Sequence, residues 1–98
     1  MEIKVSVVIP CYEYGGKGVR YLSDMFRTIS QQTIKEVEVI IPDHSVNTDI
    51  EEFCDDNIFD LNIVYHRNEV DRGNASSNKN IGMDLAKGKV VKMMYMDD

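Results

Sequence analysis

"IKVSVVIP", residues 3–10, decides the architecture. The run is short, rich in β-branched residues and closed by Pro10, the pattern of a strand buried on both faces of a parallel sheet. The chain does not turn back from it as a hairpin. A glycine loop, "YGGKGVR" at residues 14–20, leads into "VRYLSDMFRTISQQ", where Val19, Leu22, Met25, Phe26 and Ile29 recur at helical spacing.

The alternation then repeats. "VEVII", residues 37–41, reads as a second strand, broken by Pro42 and the turn residues "DHSVNTD" before a short helix near Ile50–Cys54. "LNIVY", residues 61–65, is the third strand. The polar "HRNEVDRGNASSN" enters a helix carrying Ile81, Leu85 and Ala86, which Gly88 is placed to end, and "KVVKMMYM", residues 89–96, is the fourth strand. The order βαβαβαβ implies an α/β, Rossmann-like parallel sheet with right-handed crossovers. Tyr12, Asp43, His66 with Arg67, and Asp97 with Asp98 each follow a strand, so one crevice at the carboxyl ends of the strands is the expected ligand site.

Size and charge narrow the function. The 98 residues make one domain, residues 1–98, expected to bury roughly 60 to 70% of the surface the unfolded chain exposes. Charged residues are 29%, apolar ones 43%, and the net charge is -6, so there is no clustered Lys and Arg for a nucleic-acid partner. The apolar run from Val5 to Ile9 is too short for a signal peptide or a membrane span, which points to a cytoplasmic protein. Cys11 and Cys54, without CxxC spacing, read as reduced thiols.

The glycine loop departs from the phosphate-binding patterns. A Walker A loop needs Gly where Cys11 stands and Ser or Thr where Gly18 stands, and a dinucleotide fingerprint needs a small residue at Tyr21. Two readings stay open: a plain turn, or a loop from which Lys17 or Arg20 reaches an anionic ligand. His44 and His66 read as surface residues of loops rather than as catalytic bases.

The chain closes on Tyr95-Met96-Asp97-Asp98. The four letters match a reverse transcriptase motif, but that motif sits at a β-hairpin turn, and here the acids come after a βαβαβα run. Adjacent carboxylates after a core strand suit a hard divalent cation, Mn²⁺ or Mg²⁺, bound together with substrate phosphates.

Taken in order, these segments resemble the family 2 glycosyltransferases, inverting enzymes of the GT-A fold, in their N-terminal nucleotide-sugar-binding half. "VSVVIPCYE" is similar to the family's opening strand and Pro-x-Tyr-Asn, with Glu13 in place of Asn; "QT" at residues 32–33 ends the first helix in the family's manner. "PDHS" keeps Asp43 and Ser45 but has Pro42 at the first acid of Asp-Asp-x-Ser. "RGNASSNKNIGMDLAKG" supplies Gly73, Lys79-Asn80 for Arg-Asn, Gly82, Ala86 and Gly88. At the DxD motif Tyr95 takes the first acidic position, while Asp97 and Asp98 keep the last two.

The resemblance implies a nucleoside diphosphate sugar, a UDP-sugar first, as the donor, and a glycan, lipid or protein as the acceptor. It places Pro10, Tyr12, Asp43, Lys79 and Asp97 at the nucleotide, with Tyr12 along the base and Asp43 accepting from the base N–H. Capping of the next helix stands as the alternative role for Asp43, and a solvated position as the alternative for Lys79. Asp97 and Asp98 would hold the metal. The family's general base lies beyond the DxD strand, so the piece ending at Asp98 is expected to be truncated and inactive by itself. A different class of reading, a non-catalytic nucleotide-binding or interaction module of Rossmann-like fold, would account for Pro42 and Tyr95. An exposed fourth-strand edge would favour self-association.

Overall fold

Ser6, Val7 and Val8 are all buried, so the first strand is dry on both faces, as its composition requires. The computed structural model describes residues 2–69 and 75–95. Its elements run β1 (Val5–Val8), α1 (Lys17–Ser30), β2 (Val37–Asp43), α2 (Asp49–Asp56), β3 (Ile63–Arg67), α3 (Ala75–Leu85) and β4 (Val90–Met93). The four strands form one sheet in the order β3-β2-β1-β4, with every pairing parallel.

Strand residues alternate between faces. Val7, Ile9, Val39 and Ile41 meet Leu22 and Phe26 of α1 and Ile50 and Cys54 of α2 in the main core. Phe26 and Phe53 stack there with centroids 5.6 Å apart. From β1 the chain steps outward to β2 and β3, then returns to β4 on the far side of β1. Right-handed crossovers therefore put α3 on the opposite face. Gly82 makes that packing close: a methyl there would lie 2.5 Å from Val8 Cγ1 and 2.9 Å from Pro42 Cγ.

Pro42 does not end the second strand. β2 continues to Asp43, with Pro42 opposite His66 of β3. The Pro42 carbonyl accepts from Cys11 N at 2.8 Å. A parallel ladder would direct an N–H at position 42 to the Ile9 carbonyl, and the Cys11 thiol donates to that carbonyl instead, at 3.0 Å. The missing donor therefore leaves no orphan acceptor.

β3 lies two residues later than its apolar run suggests, so His66 and Arg67 are strand residues. β4 is exposed along much of its length, with Val90 and Val91 open to solvent. On the α3 face, buried Glu38 of β2 accepts from Ser6 Oγ at 2.6 Å and from Lys87 N at 2.7 Å. Ser6 Oγ in turn accepts from Gly88 N at 2.7 Å, which pins the turn between α3 and β4. Among the described residues, no helix is long and apolar enough to cross a membrane.

Candidate functional site

Where the chain order reverses between β1 and β4, a cleft of about 470 Å³ opens outside the strand ends. This is the switch point at which open α/β sheets hold ligands, and the volume lies in the range of small-molecule sites. Pro10 and Tyr12 enter it from the end of β1, His44 from the end of β2, Ser76, Asn78 and Lys79 from the start of α3, and Tyr95 from the segment after β4.

Tyr12 stands edge-on to His44, with centroids 5.2 Å apart and planes at 83°. His44 lies in the loop just after β2, as expected, but it is a buried wall of the cleft rather than the surface residue that context suggests. Its N–H donates to the Cys11 carbonyl at 3.1 Å, which joins the two strand ends. Tyr95 is held by its carbonyl, which accepts from the Tyr21 hydroxyl at 2.7 Å. The sequence offered Tyr95 only as a missing acid; its place on the cleft wall comes from pairing of β4 with β1.

Asp43 lies fully buried beneath this wall and does not border the cleft. Its Oδ1 accepts from Ser45 N at 2.9 Å and from Ser45 Oγ, and its Oδ2 accepts from the Tyr65 hydroxyl at 2.6 Å. Burial, followed by this bond to a carboxylate, raises the Tyr65 hydroxyl well above the ordinary tyrosine range. Ser45 Oγ also receives Glu13 N at 2.6 Å, so Asp43 anchors the loops after β1 and β2 to each other. It does not cap α2, whose Asp49 N–H donates to Asn47 Oδ1 at 3.2 Å.

Of the other expected residues, His66 is exposed on β3 and outside the cleft lining. Arg67 reaches back to the loop after β2, donating to Asn47 O at 3.0 Å and Val46 O at 3.1 Å. Lys17 is drawn over the Tyr14 ring, 5.7 Å from its centroid. The glycines of that loop make the turn: Gly15 and Gly16 have φ of 58° and 82°, a region that favours glycine. Asp97, Asp98 and Gly73 lie outside the described residues. Among those described, no group of three or more His, Cys, Asp or Glu side chains is placed to hold a metal ion.

Asn78 is a cleft residue that no sequence motif marks. It is fully buried, and its Nδ2 donates to Pro42 O at 2.8 Å. The available signal is its spacing: Asn78 lies four residues before Gly82, so both occupy the helix face that closes on the sheet.

Comparison with known proteins agrees with this fold. The chain is 31% identical, over all 98 of its residues, to "Glycosyltransferase GlyG" of Streptococcus pneumoniae serotype 4, and spans 31% of that protein's length. Among solved structures, S. aureus TarS 1-349 superposes with a TM-score of 0.79 at 22% identity, covering 98% of this chain and 28% of that one. The same protein in complex with UDP superposes at 0.77 and 22% identity, covering 97% and 28%. Its complex with UDP-GlcNAc gives 0.77 at 21% identity, covering 97% and 27%. The four-stranded parallel sheet with interleaved helices is thus the N-terminal part of a GT-A fold. The family model for "Glycosyl transferase family 2" matches residues 6–98, from the buried heart of β1 to the last aspartate, and the chain belongs to that family.

Proposed function

We propose that the chain is the donor-binding part of an inverting, metal-assisted glycosyltransferase that takes a nucleoside diphosphate sugar, with a UDP-sugar as the first candidate. The observation that carries this reading is the cleft at the switch point, where Tyr12, His44 and Tyr95 supply ring surface and Lys79 a cation. Aromatic faces suit a nucleobase, with a stacking contact contributing about 0.5 to 1.5 kcal/mol beyond area burial. The complexes of S. aureus TarS with UDP and UDP-GlcNAc support the same ligand class on the same fold.

In this reading Tyr12 and Pro10 flank the base, Asp43 holds the wall behind them, and Lys79 faces the anionic part of the ligand. Asp97 and Asp98 come two and three positions after the cleft residue Tyr95, and as paired carboxylates they fit a hard cation such as Mn²⁺ or Mg²⁺. A cation bound there would neutralise charge growing on the diphosphate leaving group. Deprotonation of an acceptor hydroxyl requires a general base, which we expect beyond Asp98. The 98-residue chain is therefore expected to bind donor without transferring sugar, and its acceptor, a glycan, lipid or protein, to be read by the rest of the enzyme.

The test is thermal melting with UDP, with and without Mn²⁺. At ten times Kd the midpoint should rise by roughly 5 to 10 °C, more with Mn²⁺ than without, and Asp97→Ala should erase the metal-dependent part. No shift at millimolar UDP would overturn the reading.

A further inference from the structure

Tyr21 sits on α1, outside the cleft lining, and its hydroxyl donates to the Tyr95 carbonyl at 2.7 Å across 74 positions of the chain. Tyr95 itself borders the cleft with 38% of its surface open, so a ligand there can reach it. β4 ends at Met93, and the Met94 N–H donates to the Val8 carbonyl at 2.9 Å. Tyr95 is therefore one residue past the bond that ties the end of β4 to β1.

The packing below this point is open. An apolar groove of about 360 Å³ runs between α1 and β4, with Met25 and Ile29 on one wall and Val90 and Met94 on the other. Tyr21 shares the helix face of Met25 and Ile29, four and eight residues on. It lies a turn nearer the strand ends, where its hydroxyl bridges to the β4 side. Side-chain packing across the groove is thin, so the place of Tyr95 depends on the ladder bond of Met94 and on the Tyr21 hydroxyl.

We infer that Tyr21 is a positioning residue for the donor, holding the segment after β4 in the conformation that walls the cleft. This rests on the sugar-nucleotide reading of the cleft and adds a residue that acts on the ligand through Tyr95. The bond is exposed to solvent and contributes little to overall stability. Its effect falls instead on pre-ordering the wall, so that less affinity is lost to ordering when the ligand binds. Linkage makes the effect reciprocal: a ligand seated against Tyr95 must strengthen the bond.

Calorimetric titration with UDP, with Mg²⁺ present throughout, compares the unaltered 98-residue chain with Tyr21→Phe, which keeps the ring and removes the hydroxyl. Affinity should fall about three- to tenfold, the range of one hydrogen bond. The urea midpoint should not change, and the Tyr95 carbonyl ¹³C resonance should move upfield. Affinity within about twofold of the unaltered chain would overturn the role of Tyr21 and leave the donor-site reading intact. A loss of affinity with an unmoved Tyr95 resonance would also overturn it, because Tyr21 would then act elsewhere. A loss matched by a lower urea midpoint would do the same, assigning Tyr21 to general packing. Failure of UDP to bind the unaltered chain would overturn both readings. Should Tyr21→Phe not fold, the Tyr21 hydroxyl proton of the unaltered chain decides. Its exchange with solvent should slow about three- to tenfold on saturation with UDP, and an unchanged rate would overturn the inference.

Discussion

The Glu13 carboxylate closes on the start of α1, with Oε2 accepting from Gly16 N at 2.6 Å and Oε1 from Val19 N at 2.9 Å. An internal anion thus occupies the helix N-terminus that the glycine loop had offered to a phosphate. The N–H groups of Gly16 and Val19 are therefore already engaged, which favours the plain turn over an anion held by the loop backbone.

Glu13→Ala should therefore lower stability by about 1–2 kcal/mol, the usual value of a lost cap, as measured by urea denaturation. Lys17→Ala should leave UDP affinity within about twofold, since the loop does not face the cleft. A large loss of affinity in Lys17→Ala would return the loop to the ligand site.

Gly82→Ala is expected to destabilise the chain despite the better helix propensity of alanine, worth about 1 kcal/mol. The added methyl would fall on Val8 and Pro42 side chains held within the sheet, and overpacking of this kind costs typically about 1–3 kcal/mol. Equilibrium unfolding in urea measures the balance. A net gain in stability would show that α3 can lift from the sheet at little cost.

Alkaline pH should weaken the fold. Burial, followed by the charge of Asp43, pushes the Cys54 thiol up to about 12, and Cys11 is raised well above its ordinary value for the same leading reason. A thiol raised on folding contributes its full stabilisation below about pH 8.5, the unfolded value, and loses it as pH climbs toward the folded one. Tyr65, also raised, adds a further loss above about pH 10. The urea midpoint should thus fall progressively from about pH 8.5 upward, less steeply in Cys54→Ala. A midpoint independent of pH up to about pH 11 would contradict the burial of these groups.

Among the described residues, β4 pairs only with β1, and its outer edge lies open beside the exposed Val90 and Val91. Exposed edges of this kind template pairing with another chain. Sedimentation velocity should show association of the 98-residue chain that grows with concentration and is reduced by Val91→Lys. Strictly monomeric behaviour at high concentration would remove the expectation.

Much of the architecture was legible in residues 3–96 because parallel strands buried on both faces leave runs such as "VSVVI" and "VEVII", and helices between them keep their apolar spacing. The boundaries were less legible where a local rule met a tertiary partner. Pro42 reads as a breaker, yet the Cys11 thiol takes the acceptor that its absent N–H would have met. Ser6 and Glu38 are polar positions inside apolar strands, and the closure of the turn at Lys87 and Gly88 makes them a satisfied buried pair.

By itself, the sequence determined the βαβαβαβ order, the parallel sheet and the family, since these rest on periodicity and on motifs carried in order along the chain. The tertiary structure alone decided which polar residues share the cleft. It brought Tyr12, His44, Asn78 and Tyr95 together from four separate segments and placed Asp43 behind them. The physical reason is that burial and hydrogen-bond satisfaction belong to pairs of segments distant in the chain. The Asn78 amide, for example, takes its orientation from the Pro42 carbonyl of another strand, which accepts its Nδ2.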